Sequence, residues 1–352
     1  MRYLYSKGQV PIWNAAVCGL LMNSINPALR DSRFYANTVD SARAYLRNRD
    51  FLTYASQLVP ERLGSETWSL AWGYIRLFDD ILDAPGLDKQ QALEIMQKER
   101  VVVERGFAGD LSVDRSAPIR YRWLSQFFDN ERRFYDGRAL GVVKDLYESA
   151  WEDVARKDEL MSQKDMDQLL YKKARSFFKL YFMLSGFDLG GCINELSYTL
   201  GLGLGILDDL LDFKQDYEAS YVNITREELE LLGVDLDPTD KGFLKSILDA
   251  GYSDLRAKRI MTLLLRARRL ARQIKPAAVR ALVLRLTEIF AAPILEGRLI
   301  PGQKYFFKGG RLANAILPKN ETLAYKIGHK FIRLFLAIPQ VIPSLLTSPY
   351  SE

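Results

Sequence analysis

Two short runs hold the side chains with which this sequence could do chemistry. The first is Arg76-Leu77-Phe78-Asp79-Asp80-Ile81-Leu82-Asp83, and the second is Asp208-Asp209-Leu210-Leu211-Asp212-Phe213-Lys214-Gln215-Asp216. On a helix, Asp79 and Asp83 lie one turn apart on a shared face, and Asp208, Asp212 and Asp216 form a continuous carboxylate stripe. Arg76 precedes Asp79 by one turn and can pair with or steer the first cluster. Both runs sit among strongly apolar residues, where crowded like charges are costly unless a cation neutralises them. Hard oxygen donors of this kind suit magnesium, which takes a few carboxylates and leaves the rest of its shell to water or phosphate oxygens. Asp79, Asp80, Asp83, Asp208, Asp212 and Asp216 are therefore the candidate Mg2+ ligands, with Asp79, Asp83, Asp208 and Asp212 the candidate catalytic carboxylates. Each run alone could be a solvated acidic face; two on one chain are a stronger signal.

Composition removes the competing metal and nucleophile chemistries. His329 is the only histidine, so neither a histidine-bound zinc site nor a Ser-His-Asp triad is expected. Cys18 and Cys192 are isolated, which fits a reducing, cytoplasmic setting. The net charge of +5 tolerates an anionic substrate or surface without requiring either. The Gly201-x-Gly203-x-Gly205 pattern follows no strand and is not a dinucleotide motif; close helix packing is the simpler reading.

The elements that must position these residues are helical throughout. Apolar periodicity predicts helices over about 36–58, 65–83, 88–106, 119–136, 138–157, 164–185, 191–217, 241–249, 252–274, 276–297 and 321–337. Strand alternation is nearly absent. Short connectors between long helices imply one large all-α bundle over residues 1–300, followed by an irregular tail, 301–352, with one amphipathic helix. The stretches Gly8–Leu29 and Leu334–Ser351 are apolar and uncharged, but prolines and asparagines break them, so neither is expected to span a membrane.

The motifs resemble the squalene/phytoene synthase family. Tyr74-x-Arg76-x-x-Asp79-Asp80-x-x-Asp83 is similar to its first aspartate motif in the phytoene-synthase form, and Asp208, Asp212 and Asp216 match the second. Arg226-Glu227-Glu228-Leu229 and Arg49-Asp50-Phe51 resemble two further family segments, and the likeness covers roughly residues 45–290. It implies a helical bundle of the isoprenoid synthase type with a central prenyl pocket, Mg2+ as cofactor, and a C15 or C20 prenyl diphosphate as substrate. It also implies head-to-head coupling of two such substrates. By the same resemblance Arg49, Arg76, Tyr171 and Lys173 are candidate substrate-binding residues; Trp72, Phe177, Phe178, Tyr181 and Phe182 could line the pocket, but aromatics at helical spacing are more often plain core. The sequence departs from the family at Asp50, Asp208, Leu211, Tyr221 and Asn223, and around Tyr171–Phe177. These departures fall where a second substrate would be handled. A class I terpene cyclase, working on one prenyl diphosphate, is therefore the alternative.

Residues 256–285 contain ten Lys or Arg and no Asp or Glu. A solvated basic face accounts for this as well as docking on an anionic membrane surface would. No nucleic-acid reader motif accompanies it, and no nucleic-acid partner is expected.

Overall fold

The computed structural model describes residues 38–49, 55–84, 86–113, 116–186, 190–235, 237–275, 277–297, 299, 301 and 321–337. Among these residues there is no strand. The helices are α1 (Thr38–Arg49), α2 (Arg62–Leu82), α3 (Lys89–Ala108), α4 (Ile119–Tyr135), α5 (Leu140–Ala155), α6 (Gln163–Leu184), α7 (Ile193–Glu218), α8 (Arg226–Leu232), α9 (Phe243–Asp249), α10 (Tyr252–Ala271), α11 (Ala277–Leu295) and α12 (Glu321–Ala337). The all-α expectation holds. Periodicity missed only α8, whose seven residues are too few to show a repeat. Its marks are local instead: Thr225 and Glu228 form a capping box, and Gly233 closes the helix at φ 66°. A second capping box, Asp88 with Gln91, starts α3.

α7, at 26 residues the longest helix, packs between α6 and α10; α5 lies on α6, and α2 lies against α1 and α4. α2 also touches α6, so α6 forms a floor between α2 and α7. Two wholly buried tryptophans fix the α1–α2–α4 side of the bundle. The Trp68 indole donates to Ser56 Oγ at 2.8 Å and the Trp123 indole to Ser41 Oγ at 2.7 Å, so neither buried N–H is left without an acceptor. On the other side, α7 meets α6 at Gly201, where a Cβ would lie 2.1 Å from the Ala174 carbonyl oxygen. The packing reading of the 201–205 glycines therefore holds for the α6–α7 seam.

α12 packs on α11 and α1. Glu321 pairs with Arg47 at 3.2 Å, the Tyr325 hydroxyl donates to the Pro60 carbonyl at 2.8 Å, and His329 Nδ1 lies 2.7 Å from the Leu58 carbonyl. No described helix is long and apolar enough to cross a membrane. Gly8–Leu29 and most of Leu334–Ser351 lie outside the described residues. The basic stretch is not a single solvent-facing band. Arg256 pairs with Glu228, Arg259 with Asp167, Arg266 with Glu195, and both Arg268 and Arg285 with Glu288. Much of its charge is thus paired with acidic side chains, and the exposed cations outside these pairs are Lys258, Arg269, Arg272 and Lys275.

Candidate active site

The two aspartate runs come to face one another. Arg76 on α2 binds Asp79 Oδ2 at 2.7 Å. Burial works against the Arg76 charge, but Asp79, Asp80 and, from α7, Asp208 outweigh it and hold the guanidinium firmly protonated. One turn further along α2, Asp83 is pushed up to about 7 by desolvation and by repulsion from Asp79, against the pull of Lys173 and Arg76. Asp216 is pushed up to about 9, first by desolvation and then by Asp209, Asp212 and, from α2, Asp83. Arg76 thus feels Asp208 and Asp216 feels Asp83, so charges of the two runs act on one another.

Lys173, on α6, stands between them. Its Nζ is 2.6 Å from Asp153 Oδ2, yet 48% of its side chain is accessible. Desolvation opposes the charge of this lysine. Asp153, Asp79 and Asp209 more than offset that burial and keep the ammonium charged. Asp153, on α5, also accepts from Arg156 Nε at 2.6 Å. Burial would raise the Asp153 carboxyl, but Arg156 and Lys173 hold it well below the usual carboxylate range. From Arg156 the chain of bonds continues: Nη2 donates to Asn223 Oδ1 at 2.8 Å, and Asn223 Nδ2 donates to Asp216 Oδ2 at 2.8 Å. Lys173, Asp153, Arg156, Asn223 and Asp216 are thus tied into one network spanning α5, α6, α7 and the 219–225 turn.

Most of the residues expected from the sequence gather here, and two do not. Asp79, Asp83, Asp208, Asp216, Arg76 and Lys173 are linked by the electrostatic interactions above, and Asp212 lies on α7 beside Asp216. Asp80 turns toward α1, accepting from the Tyr45 hydroxyl at 2.5 Å. Tyr171 does not join the cluster. Two residues before Lys173 is roughly 200° around the helix, which puts Tyr171 on the outer surface, where it accepts from Arg175 Nη1 at 2.6 Å and packs beside Tyr198. Arg49 is the last residue of α1, and its side chain lies outside the described residues, as does Asp50. Sequence reasoning missed Asp153, Arg156 and Asp209 as members. Asp209 faces Arg256, Lys173 and Arg156 and is raised chiefly by burial; its adjacency to Asp208 was its only sequence signal.

The aromatic wall is narrower than expected. Phe178, Tyr181 and Phe182 are core residues. Trp72 and Phe177 are half-buried, 4.4 Å apart between ring centroids, and lie one turn from Arg76 and Lys173 respectively. An apolar face therefore adjoins the charged cluster on both α2 and α6.

Among the described residues, no three carboxylates converge closely enough to enclose a metal ion by themselves. The donor chemistry nonetheless fits magnesium. The groups are hard oxygens, and crowding has raised the proton affinity of Asp83 and Asp216, a strain that a divalent cation relieves. This suits an ion shared between carboxylates and the oxygens of a bound anion rather than one in an all-protein cage.

No family model and no curated protein sequence matches the chain. Solved structures do. The squalene synthase HpnC from Alicyclobacillus acidocaldarius superposes with a TM-score of 0.55 at 19% identity, covering 76% of this chain and 96% of that one. A dehydrosqualene synthase in complex with ligand superposes with a TM-score of 0.58 at 14% identity, covering 86% and 99%. The fold is that of the squalene and dehydrosqualene synthases, as the motif resemblance implied.

Proposed function

We propose that this protein is a magnesium-dependent prenyl transferase that ionises a prenyl diphosphate between α2 and α7 and couples two such substrates head-to-head. What supports this reading is Lys173, bound to Asp153 at 2.6 Å and within electrostatic reach of Asp79, Asp83, Asp209 and Asp216, with Trp72 and Phe177 one turn along their helices. Breaking the allylic C–O bond leaves a highly charged diphosphate and a carbocation. Fixed positive groups aimed at the departing oxygens lower that barrier without reorganising. Lys173, held in place by Asp153, supplies such a charge, and Arg76 supplies another beside Asp79. Bound magnesium, held by carboxylates of the two runs, would add Lewis-acid neutralisation of the leaving group. The aromatic faces one turn away offer an apolar seat for the hydrocarbon and keep water from it.

A cyclase acting on one substrate is the second reading. It is favoured by Arg156, whose donors go to Asp153, Val222 O and Asn223 and so leave little for another diphosphate. The test is product analysis by mass spectrometry, with and without NADPH, after incubation with C10 to C20 prenyl diphosphates, one portion isotopically labelled. Coupling gives products with twice the substrate's carbons, and mixed substrates give hybrids with one labelled half. Products that keep the substrate's own carbon number would overturn coupling and leave the ionisation chemistry standing.

A further inference from the structure

The turn after α7 contains a tyrosine whose ring is held in place and whose hydroxyl has no partner among the described residues. Tyr221 is 9% exposed, and its backbone N–H donates to the Asp216 carbonyl at 2.9 Å. Two buried cations from the residues that follow α5 bear on its ring. The Arg156 guanidinium lies 5.4 Å from the ring centroid and the Lys157 ammonium 4.8 Å. Neither is free to move away. Arg156 is bound to Asp153, the Val222 carbonyl and Asn223. Lys157 is 3% exposed and reaches only the Leu87 carbonyl, at 3.4 Å. Cation–π contacts of this kind hold a ring strongly when desolvated.

The hydroxyl itself makes no hydrogen bond among the described residues, although Asp153, Asp83, Lys173 and Arg156 all act on it. Four residues earlier, Tyr217 offers the contrast: its hydroxyl donates to the Pro238 carbonyl. The Tyr221 ring is buried but its hydroxyl remains reachable, so water or a ligand can supply the acceptor that the described residues do not. At this spot, between Asp83 on α2 and Lys173 on α6, a neutral donor has a particular use. It can bind an anion's oxygen without competing for the carboxylates that neutralise each other's neighbours.

We propose that Tyr221 is a diphosphate-contacting residue, its hydroxyl donating a hydrogen bond to a phosphate oxygen held between Asp83 and Lys173 while Arg156 and Lys157 clamp its ring. This rests on the diphosphate-ionising function proposed above, and the probe is chosen to separate the two. Inorganic diphosphate in excess Mg2+ is titrated calorimetrically into wild type, Tyr221→Phe and Tyr217→Phe. Phenylalanine keeps the clamped ring, so Tyr221→Phe should melt as wild type does but bind diphosphate about tenfold more weakly, as befits one hydrogen bond to a charged acceptor. Tyr217→Phe should melt lower and bind as wild type does. Wild-type affinity in Tyr221→Phe overturns the inference and leaves the proposed function intact, whereas failure of wild type itself to bind the Mg2+–diphosphate pair overturns both. Should Tyr221→Phe prove unstable, the near-ultraviolet tyrosine spectrum of wild type decides: a shift on adding diphosphate supports the contact, and an unchanged spectrum overturns it.

Discussion

Gly201→Ala tests the seam that sets the distance between Lys173 and the second aspartate run. An added Cβ would lie 2.1 Å from the Ala174 carbonyl oxygen and 2.4 Å from its carbonyl carbon. Carbon and oxygen normally approach no closer than about 3.3 Å, so α6 and α7 must part locally by about 1 Å. The obstacle is backbone, not the end of a flexible side chain, so the helices themselves have to move. Overpacking of this kind costs about 1–3 kcal/mol, partly offset by the ~1 kcal/mol that alanine gains over glycine inside a helix. Gly205→Ala, one turn further along α7, is the internal control. Its Cβ would meet Ala174 Cβ and Leu170 Cδ2 only at 3.9 Å, ordinary contact, so the propensity gain is unopposed. Thermal melts followed by circular dichroism should therefore move in opposite directions, down for Gly201→Ala and up for Gly205→Ala. Turnover should separate them more sharply, because a displacement of about 1 Å in a catalytic group can cost on the order of 100-fold, and Lys173 is the neighbour of Ala174. Equal melting points for the two variants, or a rise for both, would refute the claim that α6 and α7 touch backbone to side-chain position at Gly201.

Further expectations follow from the same geometry. Asp79→Ala and Asp208→Ala should each lower prenyl diphosphate turnover by orders of magnitude while leaving helical content unchanged, and EDTA should abolish turnover; near-normal activity in the double variant would sink the metal assignment. Asp83 near 7 and Asp216 near 9 bind protons more tightly folded than unfolded, as does Glu321 near 7, raised by burial. The stability linked to these groups is complete below their ordinary range and is lost as pH climbs through 7 and 9. Metal-free protein should thus melt lower at pH 9 than at pH 6, and Mg2+ with diphosphate should restore more stability at the higher pH; a melting point that rises with pH in this window contradicts the crowding argument. Asp153→Asn keeps the shape but removes the charge that anchors Lys173, and should lower kcat more than it raises KM, with Asp153→Glu recovering part of the loss. If the exposed Lys258, Arg269, Arg272 and Lys275 dock on lipid, flotation with anionic vesicles should weaken as salt is added; identical partition to neutral vesicles would mark them as solvated.

How far the sequence carried can be read from individual side chains. The helices were legible because their apolar residues repeat every three to four positions. The aspartates were legible because they break that repeat with charge at the same spacing. α8 was not, since seven residues hold no repeat, and only its capping box and Gly233 mark it. Tyr171 and Lys173 show the limit of motif likeness: both lie in one short resembling segment, but a helix turns about 100° per residue, and Lys173 turns toward Asp153 while Tyr171 turns toward Tyr198.

The residues missed altogether share a different trait. Asp153, Arg156 and Lys157 have no unusual neighbours in sequence, and each gains its role from elements that meet only in the folded chain. Asp153 on α5 reads as one more acid on an amphipathic helix until α6 brings Lys173 within 2.6 Å. Arg156 reads as a surface residue at a helix end until Asn223 closes over it. The aspartate runs and Arg76 are thus the part of the site encoded locally, whereas Asp153 and Arg156 join it through packing. That division has a chemical reason. Carboxylates that share an ion must sit at helical spacing on their own helices, whereas a countercharge has only to arrive at the right place, from any helix that passes. Lys173 and Arg156 arrive on different helices and are joined by a single carboxylate, Asp153. Loss of that carboxylate should therefore disturb both cations together, making it a more sensitive position than its plain sequence setting suggests.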